Sequence, residues 1–247
     1  DTMAFFEALG VPLKTERGNR VFPVSDSAFD VSAALERRLK ALRVRIVRDR
    51  AVSLEIADGT VRGVAGERGS YPADGVILAT GGVSYPGTGS TGDGYRLAAE
   101  AGHTVTPLRG SLVPLQGVIA PGIPCVRLQG LSLRNIGLTV FENNKKLYTD
   151  FGELLFTHFG VSGPLILSAS AHMRYFDKKQ YRLEIDLKPA LDEQQLDKRL
   201  LSDFGKYANH DFQNALDDLL PQKLIPVVVQ LSEIPGRQKV HDLTREQ

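Results

Sequence analysis

The sequence predicts an α/β fold with an α+β insert: an α/β segment over residues 1–108, a β-rich insert over 109–190 and a helical subdomain over 191–247. Three observations predict it. Helical and hairpin patterns mix before Pro107, strand-like alternation dominates after it, and a helical period returns beyond Pro189. Before the change of style stands the apolar run "GVILAT", Gly75–Thr80, which suits a strand covered on both faces as in a parallel sheet.

The elements follow in order. Phe5–Leu9 reads as the end of a helix stopped at Gly10. Asp26–Leu42 reads as a whole helix, capped by Asp26 or Ser27, with Val31, Ala34, Leu35, Leu39 and Leu42 on one apolar stripe. Arg45–Arg48 is a short strand. "AVSLEIADGTVRGVAG" is a hairpin turning at Asp58-Gly59. Asp93–Ala101 is a helix ended by Gly102. Val113–Val118 and Gly130–Phe159 read as antiparallel strands with a turn at Asn143-Asn144. Gly163-Pro164 opens a helix over Leu165–Met173, where a first-turn proline sacrifices no hydrogen bond. "YRLEIDLKP" alternates as a strand. Leu196, Leu200, Phe204, Phe212, Leu216, Leu219 and Leu220 carry the helical period, and the tail, broken by Pro226 and Pro235, reads as lacking a compact closing element.

Composition narrows the function classes. The 247 residues suffice for one large domain or two modest ones with real cores. Lys plus Arg number 30 and Asp plus Glu 29, a formal charge of +1, so nothing global steers the chain to nucleic acid or a membrane surface. Cys125 is the single cysteine, which excludes an internal disulfide, fits a reducing compartment and leads to the expectation of a cytoplasmic protein. No apolar run is long enough to span a bilayer, and the stretch "DTMAFFEALG" has no signal-peptide pattern.

The stretch "GGVSYPGTGSTGDGYRLAAEAGH" spells G-x-G-x-x-G on Gly87, Gly89 and Gly92. In the dinucleotide fingerprint the first glycine sits at the strand end and a tight turn aims the next helix at the pyrophosphate. Here Gly87 follows the expected strand end, Thr80, by seven residues. No acid stands between Ser111 and Ile123 to take a ribose hydroxyl. The letters are therefore not read as that fingerprint.

A different reading uses the whole segment. "ADGVILATGG", after a helix and a hairpin, resembles the second glycine motif of two-dinucleotide-type flavoproteins. The longer "ATGGVSYPGTGSTGDGYRLAAEAGHTVTPLRGSLVPL", with "VFPVSDSAFDV" near Phe22 and "GELLFTHFGVSGPLIL" from Gly152, resembles the HI0933-like, or aminoacetone-oxidase-like, NAD(P)/FAD-dependent oxidoreductases. The resemblance is strong from about Phe5 to Leu187. It implies that residues 1–108 are a partial, Rossmann-like FAD-binding domain, followed by a β-barrel-like insert and helices. It also implies a central fragment of a longer flavoprotein, one that begins within a helix at Asp1 and lacks both the N-terminal G-x-G-x-x-G unit and the C-terminal return segment. FAD is expected in the longer parent, and absent or weakly held in the fragment, which is expected to be inactive alone.

What the resemblance implies for the site is residue-specific. Ala79, Thr80, Gly81 and Gly82 would border the FAD phosphates and ribityl chain, and at the two glycines a Cβ would collide with the cofactor. Ser84, Tyr85 and Pro86 would approach the flavin ring, and the backbone of Val52 would meet the adenine. The isoalloxazine would do the redox work on an unknown small molecule, with NAD(P)H as a further partner. Catalytic residues and oligomeric state are not assigned. Asp93 is read as a helix-capping group, His158 and His103 as structural, and His172, His210 and His241 as lacking ligand spacing, so no metal site is expected. Cys125 has no CxxC partner, and a redox role is not expected of it. Two other classes fit parts of the pattern: a fumarate-reductase-like or ketosteroid-dehydrogenase-like flavoprotein, and a non-catalytic interaction module on a decayed flavin fold.

Overall fold

The computed structural model describes residues 1–16, 19–244 and 247. The chain divides into two compact units, Asp1–Leu108 and Arg109–Gln247. It is a mixed α/β chain in which every paired strand among the described residues is antiparallel.

In the first unit, α1 (Thr2–Ala8) begins at Asp1, whose carboxylate accepts the Met3 N–H at 2.8 Å. Asp1 thus holds the N-cap position of α1, its carboxylate on an orphan first-turn N–H. At its other end Gly10 N–H bonds Glu7 and Val11 N–H bonds Phe6, the two bonds of a Schellman motif. A hairpin of β1 (Leu13–Glu16) and β2 (Arg20–Pro23) leads to α2 (Ala28–Ala41). Ser27 holds the N-cap position of α2 without a side-chain bond, and the Asp26 carboxylate is engaged by Lys14. The expected stripe is only half realised: Ala34 is buried, whereas Leu35 and Leu42 are exposed.

Strands β3 (Ala51–Ala57), β4 (Thr60–Gly66) and β5 (Ser70–Pro72) form a meander. Asp58 and Gly59 have φ of 50° and 70°, the left-handed pair of a type I′ turn that the Asp-Gly dipeptide signals. Helix α3 (Asp93–Glu100) closes in a second Schellman motif at Gly102. Two expected strands, Arg45–Arg48 and Gly75–Thr80, are not strands. No described strand lies beside them to complete a ladder, and Ile46, Val47, Ile77 and Leu78 are exposed, Ile77 at 93%. A run of β-formers stays irregular without a hydrogen-bonded neighbour.

The second unit is built on a five-stranded sheet of order β12-β9-β10-β11-β6, where β6 is Leu115–Gln116, β9 Ser132–Glu142, β10 Lys145–Phe156, β11 Gly160–Ser162 and β12 Tyr181–Asp186. The long β9–β10 hairpin turns at Asn143-Asn144, with φ of 47° and 66°, again type I′. Leu133, Ile136, Leu138 and Val140 of β9 are buried. The step of three between Leu133 and Ile136 is absorbed where the register to β10 shifts, beside Asn135 with its φ of 57°; the bulge returns the alternation to the core face. Both edge strands, β6 and β12, line one cavity, so the sheet curls around it as a half-barrel. A short hairpin of β7 (Val118–Ala120) and β8 (Ile123–Pro124) borders it.

Helix α4 (Pro164–Ser170) buries Leu165, Ile166 and Ala169. Its buried Ser170 hydroxyl donates to the Leu167 carbonyl at 2.8 Å and accepts the Val113 N–H at 2.9 Å, which satisfies the group inside the core. Helix α5 (Glu193–Lys206) opens with a capping box of Asp192 and Gln195. With α6 (Phe212–Ala215) and α7 (Ile225–Ser232) it frames a cluster of Phe212, Leu216, Ile225 and Ile234. The tail therefore closes compactly, against expectation. Pro226 lies in the first turn of α7, where it starts a helix, and Ile234 and Val240 are buried.

Candidate functional site

The segment joining Gly75–Thr80 to α3 is twelve residues long if counted from Gly81 to Gly92. A 3₁₀ turn at Pro86–Thr88 interrupts it, and Gly92 with φ 83° takes the N-cap of α3. This is not the short strand-to-helix turn of a phosphate fingerprint.

Gly81, Gly89 and Gly92 hold positive φ, and Gly92 is crowded as well, a built Cβ lying 2.9 Å from Val83. Gly81 has φ +75°, a conformation that costs an L-residue strain. Its absent Cβ would meet only the Ser90 hydroxyl at 3.5 Å. Within the chain Gly81 is thus required by its dihedral and not by crowding. Gly94, in the first turn of α3, is required by space: a Cβ would lie 2.2 Å from Thr80 Oγ1. The Thr80 side chain rests on the helix backbone at that point and fixes the entrance of the loop against the helix start. Gly87, by contrast, has neither positive φ nor any atom within 4 Å of a built Cβ.

Two arginines tie the helix to the hairpin. Arg50, just before β3, bonds the Asp93 carboxylate at 3.2 Å, and Asp93 also accepts from the Thr91 hydroxyl at 3.0 Å. The Thr91 hydroxyl first, and then Arg50, holds the Asp93 carboxyl below its ordinary value. Asp93 is therefore an anchor at the helix start. Arg96 of α3 donates to the Val52 carbonyl at 2.9 Å and pairs with Glu100 at 2.6 Å. Val52 itself falls where the β3–β4 register shifts. On the far side of that hairpin, Asp49 accepts from Tyr71 at 2.7 Å and from the Arg68 N–H at 3.1 Å. The Tyr71 hydroxyl is the main cause of its lowered pKa.

The structure thus ties Val52 and Thr80 to α3, through Arg96 and Gly94, and Asp93 of α3 to Arg50. Ala79, Thr80, Gly81, Ser84, Tyr85 and Pro86 are exposed, Tyr85 at 73%, and Gly82 is half-buried under Tyr95. The Ala79–Gly81 backbone is open to solvent, and two consecutive positions, Gly81 and Gly82, carry no side chain. Sequence reasoning missed Arg50, Arg96 and Gly94. Their partners stand 43, 44 and 14 positions away in the chain, and no local pattern announces such pairs.

The histidines are held elsewhere. His172 stacks on Tyr148 at 4.5 Å, His158 meets Phe159 edge-on at 4.8 Å, and His241 bonds the Ala208 carbonyl. Burial, with help from Asp150, pushes Tyr148 up to about 12. Among the described residues no group of three His, Cys, Asp or Glu is placed to hold a metal ion, and no helix is long and apolar enough to cross a membrane.

Comparison with known proteins adds the following. Residues 109–247 match the family model described as "HI0933-like protein barrel and H2TH domain". Over 239 residues the chain is 33% identical to the 3-dehydro-bile acid delta(4,6)-reductase of Clostridium scindens, covering 95% of this chain and 56% of that protein. It is 31% identical over 172 residues to the ribosomal RNA dihydrouridine synthase of Escherichia coli, covering 65% of this chain and 37% of that protein. With the ribosomal RNA dihydrouridine synthase of Haemophilus influenzae the identity is 38% over 114 residues, or 46% of this chain and 26% of that protein. The chain spans about half, or less, of the length of these relatives.

Proposed function

The chain belongs to the HI0933-like protein family, and from that premise we propose that it serves a flavoprotein reductase that uses FAD to saturate a carbon–carbon double bond conjugated to a carbonyl group. The observation that carries the reading is the 33% identity to a reductase across 95% of the chain, both units included. The names of the relatives point to one chemistry. A 3-keto steroid unsaturated at positions 4 and 6 and a uracil ring each present an alkene polarised by a carbonyl. In each, reduction adds a hydride at the carbon remote from the carbonyl and a proton next to it, and the carbonyl oxygen carries the charge in between.

Bound FAD would supply the hydride, after reduction by NAD(P)H. The chain's own residues bind and orient. Gly81 and Gly82 let the cofactor chain run along the backbone, and Thr80 on Gly94 sets where that backbone lies. Arg50 and Arg96 hold α3 to the hairpin and keep the Val52 strand in place for the adenine. Ser84, Tyr85 and Pro86 stand ready for the flavin ring; Tyr85 in particular has most of its surface free. The substrate is a small molecule: the relatives that act on RNA cover at most 65% of this chain, against 95% for the steroid reductase. These 247 residues contain no strand-end fingerprint for the pyrophosphate, so on their own they are expected to hold FAD weakly.

The test is NAD(P)H consumption by the natural polypeptide, loaded with FAD, in the presence of a 3-keto-4-ene steroid. Consumption that requires both FAD and the conjugated double bond is expected. Failure to retain flavin, or equal consumption with the saturated ketone, would overturn the proposal.

A further inference from the structure

The half-barrel curls around a cavity of about 450 Å³, within the range of small-molecule sites. Leu115, Cys125, Leu154, Phe156 and Met173 form its floor, each less than a tenth exposed. Strand β12 supplies a wall by alternation: Tyr181, Leu183 and Ile185 are half-buried and line the cavity, whereas Arg182, Glu184 and Asp186 are exposed. Val161 of β11 and Phe176, from the segment between α4 and β12, complete the apolar lining.

The two charges that border the cavity are answered from within the chain. Lys179 Nζ lies 2.5 Å from the Glu142 carboxylate. Arg182 pairs with Glu184 and lays its guanidinium over the Phe141 ring, 4.5 Å from the ring centre. The Tyr181 hydroxyl donates to Glu142 at 2.9 Å and accepts the N–H groups of Arg174 and Tyr175, each at 3.3 Å. At the other edge Gly160 pairs with Gln116 in the ladder, and Gly117 N–H bonds the Phe159 carbonyl at 3.2 Å. Among the described residues no buried side-chain polar atom lacks a hydrogen-bond partner. The cavity thus offers apolar surface and no unanswered charge. An ion entering it would give up its hydration for no new partner. An apolar molecule without charge would give up only unfavourable contact with water.

We propose that the half-barrel cavity is a binding site for a small, uncharged apolar molecule, seated on the Leu115–Leu154–Phe156 floor against the inner side of β12. The inference stands on the second unit alone and does not need the redox reading, since it is tested by binding. The probes are N-phenyl-1-naphthylamine and 8-anilinonaphthalene-1-sulfonate, which share one apolar body and differ by a sulfonate. Each would be titrated into the folded chain and followed by its fluorescence. The neutral dye is expected to saturate one site and to bind at least about tenfold more tightly than the sulfonate. Bound neutral dye should also slow modification of Cys125 by methyl methanethiosulfonate, since Cys125 is the only cysteine in the chain and part of the cavity floor. Leu183→Trp enlarges a half-buried lining residue and takes up part of the cavity. It should weaken binding of the neutral dye at least about tenfold with the circular dichroism spectrum unchanged; if that variant misfolds, protection of Cys125 in the unaltered protein decides. Absence of saturable binding, equal or tighter binding of the sulfonate, saturation without protection of Cys125, or undiminished binding by a folded Leu183→Trp variant would each overturn the proposal.

Discussion

At the scale of single residues, the glycines of the Gly81–Gly94 segment separate into those the backbone needs and those it does not. Gly81→Val places a branched side chain at φ +75°, which costs on the order of 1–2 kcal/mol in strain alone. We expect it to abolish flavin binding, while Gly87→Ala, at an open position of ordinary φ, keeps it. Equilibrium dialysis with FAD, on variants shown to be folded by circular dichroism, checks this; flavin lost from Gly87→Ala and kept by Gly81→Val would restore the spelled G-x-G-x-x-G as the phosphate loop. The letters of this motif are legible in the sequence, but the close packing of Gly94 on Thr80 is not, since the two stand 14 positions apart. A second residue-scale prediction concerns pH. Lys179, followed by Tyr181, holds the Glu142 carboxyl below its ordinary value of 4.5. A lowered carboxylate pKa contributes stability that is present above the unfolded value and lost as pH falls through the folded one. The difference in urea midpoint between the natural chain and Glu142→Gln should therefore shrink as pH drops below about 4.5. A difference independent of pH would sink this assignment.

At the scale of elements, burial decides what an apolar side chain is worth. Leu138 in β9 is fully buried and Ile77 is 93% exposed. Leu138→Ala should destabilise the second unit by about 3 kcal/mol, and Ile77→Ala by less than about 0.5 kcal/mol. Urea denaturation distinguishes them, and similar losses at both sites would contradict the assigned burial. Hairpins were the most legible elements, because Asp58-Gly59 and Asn143-Asn144 carry the left-handed turn in their own chemistry. The helix after Gly163-Pro164 and the strand of "YRLEIDLKP" were legible for the same local reason. Gly75–Thr80 was misread since an apolar run states an appetite for a neighbour without showing that one is present. The Pro226 helix is hidden in the sequence because a proline reads as a break, although in a first turn it is a start. The bulge beside Asn135 was hidden too; it makes the spacing of Leu133 and Ile136 look irregular until the register to β10 is known.

At the scale of the whole molecule, the two units differ in how much apolar surface they bury. Among the described residues of the first unit the buried apolar side chains are Val11, Ala34 and Leu97, whereas the second has a continuous core from Leu115 to Val227 and a helical cluster beside it. Local stability follows such burial. Amides of β3 and β4 should therefore exchange with solvent faster than those of β9 and β10, by hydrogen exchange followed with mass spectrometry; the reverse order would contradict the account. The central claim, a flavin that passes hydride to a conjugated alkene, is tested most directly by the absorbance of flavin bound to the natural polypeptide without oxygen. After reduction by NAD(P)H, addition of a 3-keto-4-ene steroid should restore the oxidised flavin band in step with loss of the conjugated ketone. A flavin that stays reduced until air is admitted would contradict the claim.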